Sequence, residues 1–258
     1  MVFTDTHTHL YLDAFNNDRN EVIQKAIQAG VHYHLLPNIN TASIEPMLEV
    51  CKTYPENCFP MIGLHPTSVH ENYQQEITAI EEAIDRHNFA AIGEIGIDLY
   101  WDKKFFNEQK KIFKFQLELA LDLNLPVAIH TRESMEETLE ILMLPAYKEL
   151  KGVLHCFSGS IEQAKKAIDL GFCLGVGGVI TFKNSGLKQV IHKIPLRSIL
   201  LETDAPYLAP VPFRGSRNEG SYLPVIASHL ADVYQTDREQ IARITTENAF
   251  SLFHLKQH

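Results

Sequence analysis

The chain has 258 residues, is 45% hydrophobic and 21% charged, and carries a formal net charge of −9, the profile of a globular protein with a substantial core. Proteins that coat duplex nucleic acid draw their affinity from Lys and Arg neutralising phosphates, so this acidic balance argues against that class. It leaves room for a polyanion held at a local metal or basic site. The N-terminus has no basic-then-apolar leader, and no apolar stretch approaches the ~20 residues of a membrane span. The four cysteines, Cys51, Cys58, Cys156 and Cys173, form no C-x-x-C pair. Buried free thiols, a reducing compartment and a cytoplasmic protein without an obligate protein partner are expected.

In chain order, "MVFTD" is a short first strand, followed by a helical pattern from about Asp18 to Gly30 and then by "VHYHLLP". A second helix begins near Thr41, "CFPMIGLHP" follows, and a charged amphipathic helix runs from about Tyr73 to His87. "FAAIGEIGID" is the fourth apolar run. From Phe106 to Leu123 the apolar residues fall at helical spacing, and the pattern stops before Pro126, which cannot continue a helix interior. The second half repeats the rhythm with "PVAIHTR", "GVLHCFSG", "FCLGVGG" and "SILLETDAPYL", each followed by a helical stretch. Two helices close the chain, the last with Thr236 and Glu239 at capping-box spacing. Gly30, Gly152 and Gly171 stand where helix C-terminal caps are expected.

Eight apolar strands alternating with helices point to a parallel sheet buried on both faces. Their number and the chain length are those of a single-domain TIM-type (β/α)8 barrel over residues 1–258. A doubly wound open sheet is the competing architecture, lowered by the lack of G-x-G-x-x-G after the first strand.

In such a barrel, chemistry sits at the C-terminal ends of the strands. With 13 histidines in the chain, a His-x-His triplet can arise by chance, and there are two of them. His7 and His9 follow strand one at its C-terminal end; His32 and His34 open strand two and belong to the other end as core or surface residues. The same filter returns His65 after strand three, Glu94 at the end of strand four, His130 and Arg132 at strand five, and His155 at strand six. At strand eight it returns Glu202 and Asp204, of which Asp204 lies nearer the strand end. Cys156 alternates with His155 and is expected to face the helices.

Singly, each of these residues has a structural explanation as a core histidine, a cap or a turn residue. Together, imidazoles and carboxylates at one end of a barrel are costly to bury unless they bind cations. They are too many for one catalytic zinc and suit two divalent ions that activate water and stabilise an in-line displacement. Glu94 would bridge the ions, and Asp204 would bind one and orient or deprotonate the water. Zn²⁺ or Mn²⁺ fits the mixed ligands, and Mg²⁺ fits if waters complete its shell. No lysine ends strand four or five to carry a carbamate bridge.

The segments "DTHTHL", "GLHP", "GEIGID", "IHTR", "HCFSGS", "ETDAPYLAP", "RGSRNE" and "TTENAFSLF", in this order from Asp5 to Phe253, resemble the TatD-type metal-dependent deoxyribonucleases. The resemblance implies a two-metal phosphodiesterase that shortens single-stranded DNA from its 3′ end. It implies that His7, His9 and Asp204 hold one metal, that Glu94 bridges, and that His130 and His155 hold the second. His65 would contact the scissile phosphate and act in catalysis beside Glu94 and Asp204, while Arg132 and Arg217 would meet substrate phosphates. Phe157 and Tyr207 are candidates to stack unpaired bases. Two departures bear on substrate preference: Gly220-Ser221-Tyr222 stands where the family commonly has Pro-Ala-Tyr, and Thr67 follows "GLHP" where His is common. The rivals are a hydrolase of a small ester, lactone or cyclic amide on the same barrel, a non-catalytic nucleic-acid-binding scaffold, and a metal-free isomerase or lyase.

Overall fold

The computed structural model describes residues 1–101 and 103–256. Its eight strands are β1 (Phe3–Asp5), β2 (Val31–Pro37), β3 (Cys58–Ile62), β4 (Ala91–Asp98), β5 (Val127–Arg132), β6 (Gly152–Leu154), β7 (Phe172–Val176) and β8 (Ile199–Leu201). They pair in sequential order, every pair parallel. A doubly wound sheet reverses its strand order part-way; this one does not. Helices α1 (Arg19–Gln28), α2 (Thr41–Thr53), α3 (Tyr73–Arg86), α4 (Phe106–Asp122), α5 (Met135–Leu142), α6 (Ile161–Asp169) and α7 (Leu187–Ile191) follow the first seven strands, and α8 (Leu223–Tyr234) and α9 (Arg238–Phe253) follow the last.

The barrel closes between β8 and β1 through irregular segments just beyond both strands. The Thr6 N–H donates to the Leu201 carbonyl at 3.0 Å, and the Asp204 N–H to the His7 carbonyl at 2.9 Å. A parallel bridge joins Thr8 to Ala205. The buried Asp5 carboxylate accepts the Thr203 N–H at 2.9 Å and the Thr203 hydroxyl at 2.6 Å. This seam sets the segment after β1 beside the segment after β8, and so brings His7 and His9 to Asp204.

The interior is filled by one apolar residue from each of six strands: Leu35, Met61, Ala91, Ala128, Val153 and Leu200. Ala249 and Phe253 of α9 close this cluster. The larger core contains helix residues such as Val22, Ile23 and Ala26 of α1 and Ile112, Phe113 and Leu117 of α4. Each of the larger of these side chains is worth roughly 2 kcal/mol in burial.

Three local expectations need correction. The cap of α9 is Asp237, which accepts the Gln240 N–H, one residue beyond the Thr236–Glu239 pairing; both spacings fit the sequence pattern, and the carboxylate takes the N–H. Gly152 is no helix cap but the first residue of β6, where a Cβ would come within 2.3 Å of the Val127 carbonyl oxygen. Gly30 and Gly171 do have positive φ, 94° and 88°. Cys156 is not a strand residue. β6 ends at Leu154 and Cys156 has a φ of 46°, so the alternation that turned it toward the helices has already stopped. Burial, with the negative charge of Asp204, Glu202 and Glu94, pushes its thiol well up, which makes it a poor nucleophile.

Candidate metal centre

Six side chains from five other strand ends converge on Glu94, which is 2% exposed. Gly96, two residues on, is what lets β4 lie against β5 here: its φ is 140°, and a Cβ would sit 2.1 Å from the His130 carbonyl oxygen. The ladder pairs Gly96 with His130 and Asp98 with Arg132.

The two oxygens of Glu94 face different histidines. Oε2 lies 3.1 Å from His7 Nε2 and 3.6 Å from His9 Nε2. Oε1 lies 2.8 Å from His155 Nε2, 2.9 Å from His130 Nδ1 and 3.2 Å from His65 Nε2. Asp204 Oδ1 stands on the first side, 3.5 Å from His9 and 3.9 Å from His7. The six expected metal ligands and His65 are therefore brought together. His7, His155 and Asp204 offer ligand atoms within 4.8 Å of one another, as do His7, His9 and Glu94, and His65, Glu94 and His130.

Neighbours fix which ring nitrogen faces the centre. The Tyr11 hydroxyl donates to the Pro37 carbonyl, so His9 Nδ1–H donates to the Tyr11 oxygen at 2.9 Å and leaves its Nε2 lone pair inward. His130 Nε2 meets Asp98 Oδ2 at 2.9 Å, so Nδ1 is the inward atom. Such outer partners hold a metal-binding imidazole in one tautomer. His65 differs. Its Nδ1 accepts the Thr67 N–H at 3.1 Å, which puts the ring proton on Nε2, facing Glu94. Thr67, one of the two departures from the family pattern, thus sits directly on His65.

The electrostatics suit cations. Burial alone would push the Glu94 carboxyl up; the fields of His65, His155 and His7 and the hydrogen bond to His130 outweigh it and hold it well below the usual range. Burial likewise opposes ionisation of Asp204, and His9, His7 and His155 reverse that. Burial and the neighbouring His155 pull His7 down, and burial pulls His65 down. Burial works against protonation of His130 and His155, but Asp98 and Glu94 hold the first above its ordinary value and Glu94 and Glu202 hold the second well above it. The His7 and His155 rings stack with centroids 3.8 Å apart and planes 6° from parallel, an arrangement that two imidazolium cations would resist. His7 Nδ1 and His155 Nδ1 are buried without a hydrogen-bond partner. Imidazoles and ionised carboxylates aimed at one point are the donor set of a divalent metal, which His130 and His155 would hold after giving up a proton, and the residues fit it.

Two expected contacts, those of Arg217 and Phe157, fall outside the cluster. Arg217 donates from both Nη atoms to Asp18 at 2.8 and 2.6 Å, reaches Glu219 at 2.9 Å and lies over the Phe15 ring. Its charge is already matched by two carboxylates. Phe157 is 1% exposed and packs in the core, so it has no face for a base. Tyr207 is 52% exposed, with its ring centroid 6.2 Å from that of His9, at the mouth. Asp98 was missed by the sequence reading, although its distance from Glu94 places both on one face of β4. Glu202, the parity alternative to Asp204, is fully buried behind His155, where its Oε1 accepts the Cys156 N–H.

A closed parallel barrel with this His and carboxylate cluster at its C-terminal end defines a metal-dependent hydrolase. The chain belongs to the TatD family: the family model described as TatD related DNase matches residues 4–254. YabD of Bacillus subtilis, named an uncharacterised metal-dependent hydrolase, is 37% identical over 97% of this chain and 98% of its own. The crystal structure of the TatD homologue YjjV of Escherichia coli superposes with a TM-score of 0.92 at 32% identity, covering 98% of each chain. A TatD family hydrolase of Entamoeba histolytica shares the fold, with a TM-score of 0.83 at 22% identity and 98% coverage of both chains. Among the described residues no helix is long and apolar enough to cross a membrane.

Proposed function

We propose that this hydrolase is a two-metal deoxyribonuclease that removes nucleotides from the 3′ end of single-stranded DNA in the cytoplasm. The observation that carries this reading is the division of Glu94, with Oε2 toward His7, His9 and Asp204 and Oε1 toward His130 and His155. That is the donor pattern of a carboxylate bridging two ions. Bound Zn²⁺, Mn²⁺ or Mg²⁺ supplies Lewis acidity toward a phosphoryl oxygen and lowers the pKa of coordinated water.

The chain's own residues do the rest. Asp204 is 14% exposed at its side chain, enough to orient an incoming water and accept its proton. His65 carries its hydrogen on Nε2 and can donate it to a phosphate oxygen. Arg132, at the end of β5, provides the local positive charge that the net charge of −9 does not. A cytoplasmic site of action accords with four free cysteines.

The test is digestion of an end-labelled single-stranded oligonucleotide by chelator-stripped protein, with Mg²⁺, Mn²⁺ and Zn²⁺ restored separately. Metal-dependent shortening from the 3′ end is expected. A folded, metal-loaded protein that cleaves no strand overturns the nuclease reading and leaves a hydrolase of small esters, lactones or cyclic amides.

A further inference from the structure

Beyond β4 the chain makes a short turn whose side chains the metal cluster does not use. Tyr100 is 49% and Trp101 68% exposed, and with Tyr207 they are the only exposed large aromatic residues among those described. All three lie at the catalytic end of the barrel. A single exposed aromatic residue is ordinary; an adjacent Tyr and Trp on a pinned backbone call for a ligand.

The pinning is specific. The Tyr100 and Trp101 N–H groups both donate to Asp98 Oδ1, at 2.9 and 3.2 Å. The other oxygen of Asp98 takes His130 at 2.9 Å, and the Asp98 N–H is itself held by Gln109 Oε1 at 2.9 Å. One buried carboxylate thus joins the aromatic turn to a residue of the metal cluster. Arg132 lies opposite Asp98 in the ladder and accepts the Leu99 N–H at its carbonyl. Its guanidinium carbon stands 3.8 Å from the Tyr100 ring centroid and 5.2 Å from that of Trp101. The two rings meet edge to face, centroids 4.9 Å apart at 85°. A guanidinium stacked by its face keeps its N–H groups, which point from its edge, for a phosphate.

We propose that Tyr100, Trp101 and Arg132 form a base-stacking platform beside the metal centre, Trp101 receiving an unpaired nucleobase and Arg132 the adjoining backbone phosphate. The proposal rests on the nuclease reading above and deepens it. Every base has a π-face, so such a platform tolerates any sequence. In a duplex those faces are covered by neighbouring bases, so the platform selects frayed or single-stranded ends. Asp98 keeps the platform and His130 in one fixed relation, so that a base seated on Trp101 places its phosphate in register with the cluster.

Trp101 is the single tryptophan of the chain, and its fluorescence reports stacking without turnover. Metal-loaded protein is titrated with a phosphorothioate thymidine oligonucleotide, which resists hydrolysis, and with an abasic strand of equal length. The thymidine strand is expected to quench the fluorescence saturably and to bind about tenfold more tightly than the abasic strand, within the range that base–aromatic stacking supplies. Tyr100→Ala should weaken thymidine binding several-fold, and Trp101→Ala should raise KM for a cleavable strand about tenfold with a smaller change in kcat. Equal affinity for the two strands, or no quenching at saturation, overturns the platform. A strand that is cleaved in the digestion assay yet leaves the fluorescence untouched removes the platform and keeps the nuclease. A strand that neither binds nor is cleaved removes both.

Discussion

The triplet His7-Thr8-His9 leaves the C-terminal end of β1 and brings both Nε2 atoms to within 3.6 Å of the Glu94 carboxylate. His32-Tyr33-His34 has the same spacing inside β2 and meets no carboxylate among the described ion pairs. His34 is fully buried beside Ala26 of α1 and Gly220, where a Cβ on Gly220 would approach its ring to 3.2 Å. Both ring nitrogens of His34 lack a hydrogen-bond partner. The first pair is surrounded by anions, with Tyr11 orienting His9; in the second, His34 is packed by small residues and burial keeps it neutral. What a histidine does is decided by the groups that face it, and spacing along the chain is only a filter.

The comparison breaks most sharply at Glu94. Glu94→Gln keeps the volume and removes the charge that the first pair answers to. Activity should fall roughly 10³-fold, the scale of losing an electrostatic group at a reacting centre, with bound metal reduced and the circular dichroism spectrum retained. His32→Gln, made in parallel, should leave metal content unchanged. Metal loss from both variants alike would erase the distinction.

A smaller effect belongs to Asp98. Asp98→Asn leaves His130 without its charged partner, and metal affinity should drop about 10–100-fold, as when outer partners of metal-bound imidazoles are lost. Titration of the stripped protein with Zn²⁺ or Mn²⁺ checks this. Unchanged affinity would mean that His130 needs no outside orientation.

The mildest expectation concerns the second pair. Burial pulls His34 down from 6.5 to about 4. Above pH 6.5 both folded and unfolded chains keep it neutral, and it contributes nothing to pH dependence. As the pH falls from 6.5 toward 4 the unfolded chain gains a proton that the folded chain refuses, so stability is lost, by about 3 kcal/mol at the lower limit. His34→Leu should remove that part of the acid sensitivity, seen as a smaller fall in urea midpoint between pH 7 and pH 4.5. An identical fall in variant and wild type would show that His34 is protonated in the fold.

Much of this architecture is legible in the sequence because its signals are local. Continuous apolar runs mark strands covered on both faces, helical spacing marks what lies between them, and the polar residue ending each run marks the catalytic face. His7, His9, His65, Glu94, His130, His155 and Asp204 all emerge in this way, and the fold brings them around one carboxylate. Asp98 was readable too, by its period from Glu94 along β4.

The rest depended on contacts between distant parts of the chain. Arg217 looked like a phosphate ligand until the fold set it on Asp18, 199 residues away. Phe157 looked like a stacking residue until packing buried it. Cys156 escaped its strand parity because the backbone turns left-handed one residue after His155. The tautomers of His9 and His65, the division of Glu94 between two histidine sets, and the tie from Asp98 to the Tyr100–Trp101 turn each require partners brought together by barrel closure. Periodicity is a property of neighbours along the chain, so the sequence by itself determined the barrel and the ring of candidate ligands. Which atom faces which is a property of neighbours in space, and only the seam between β8 and β1 and the packing of the strand ends decided it.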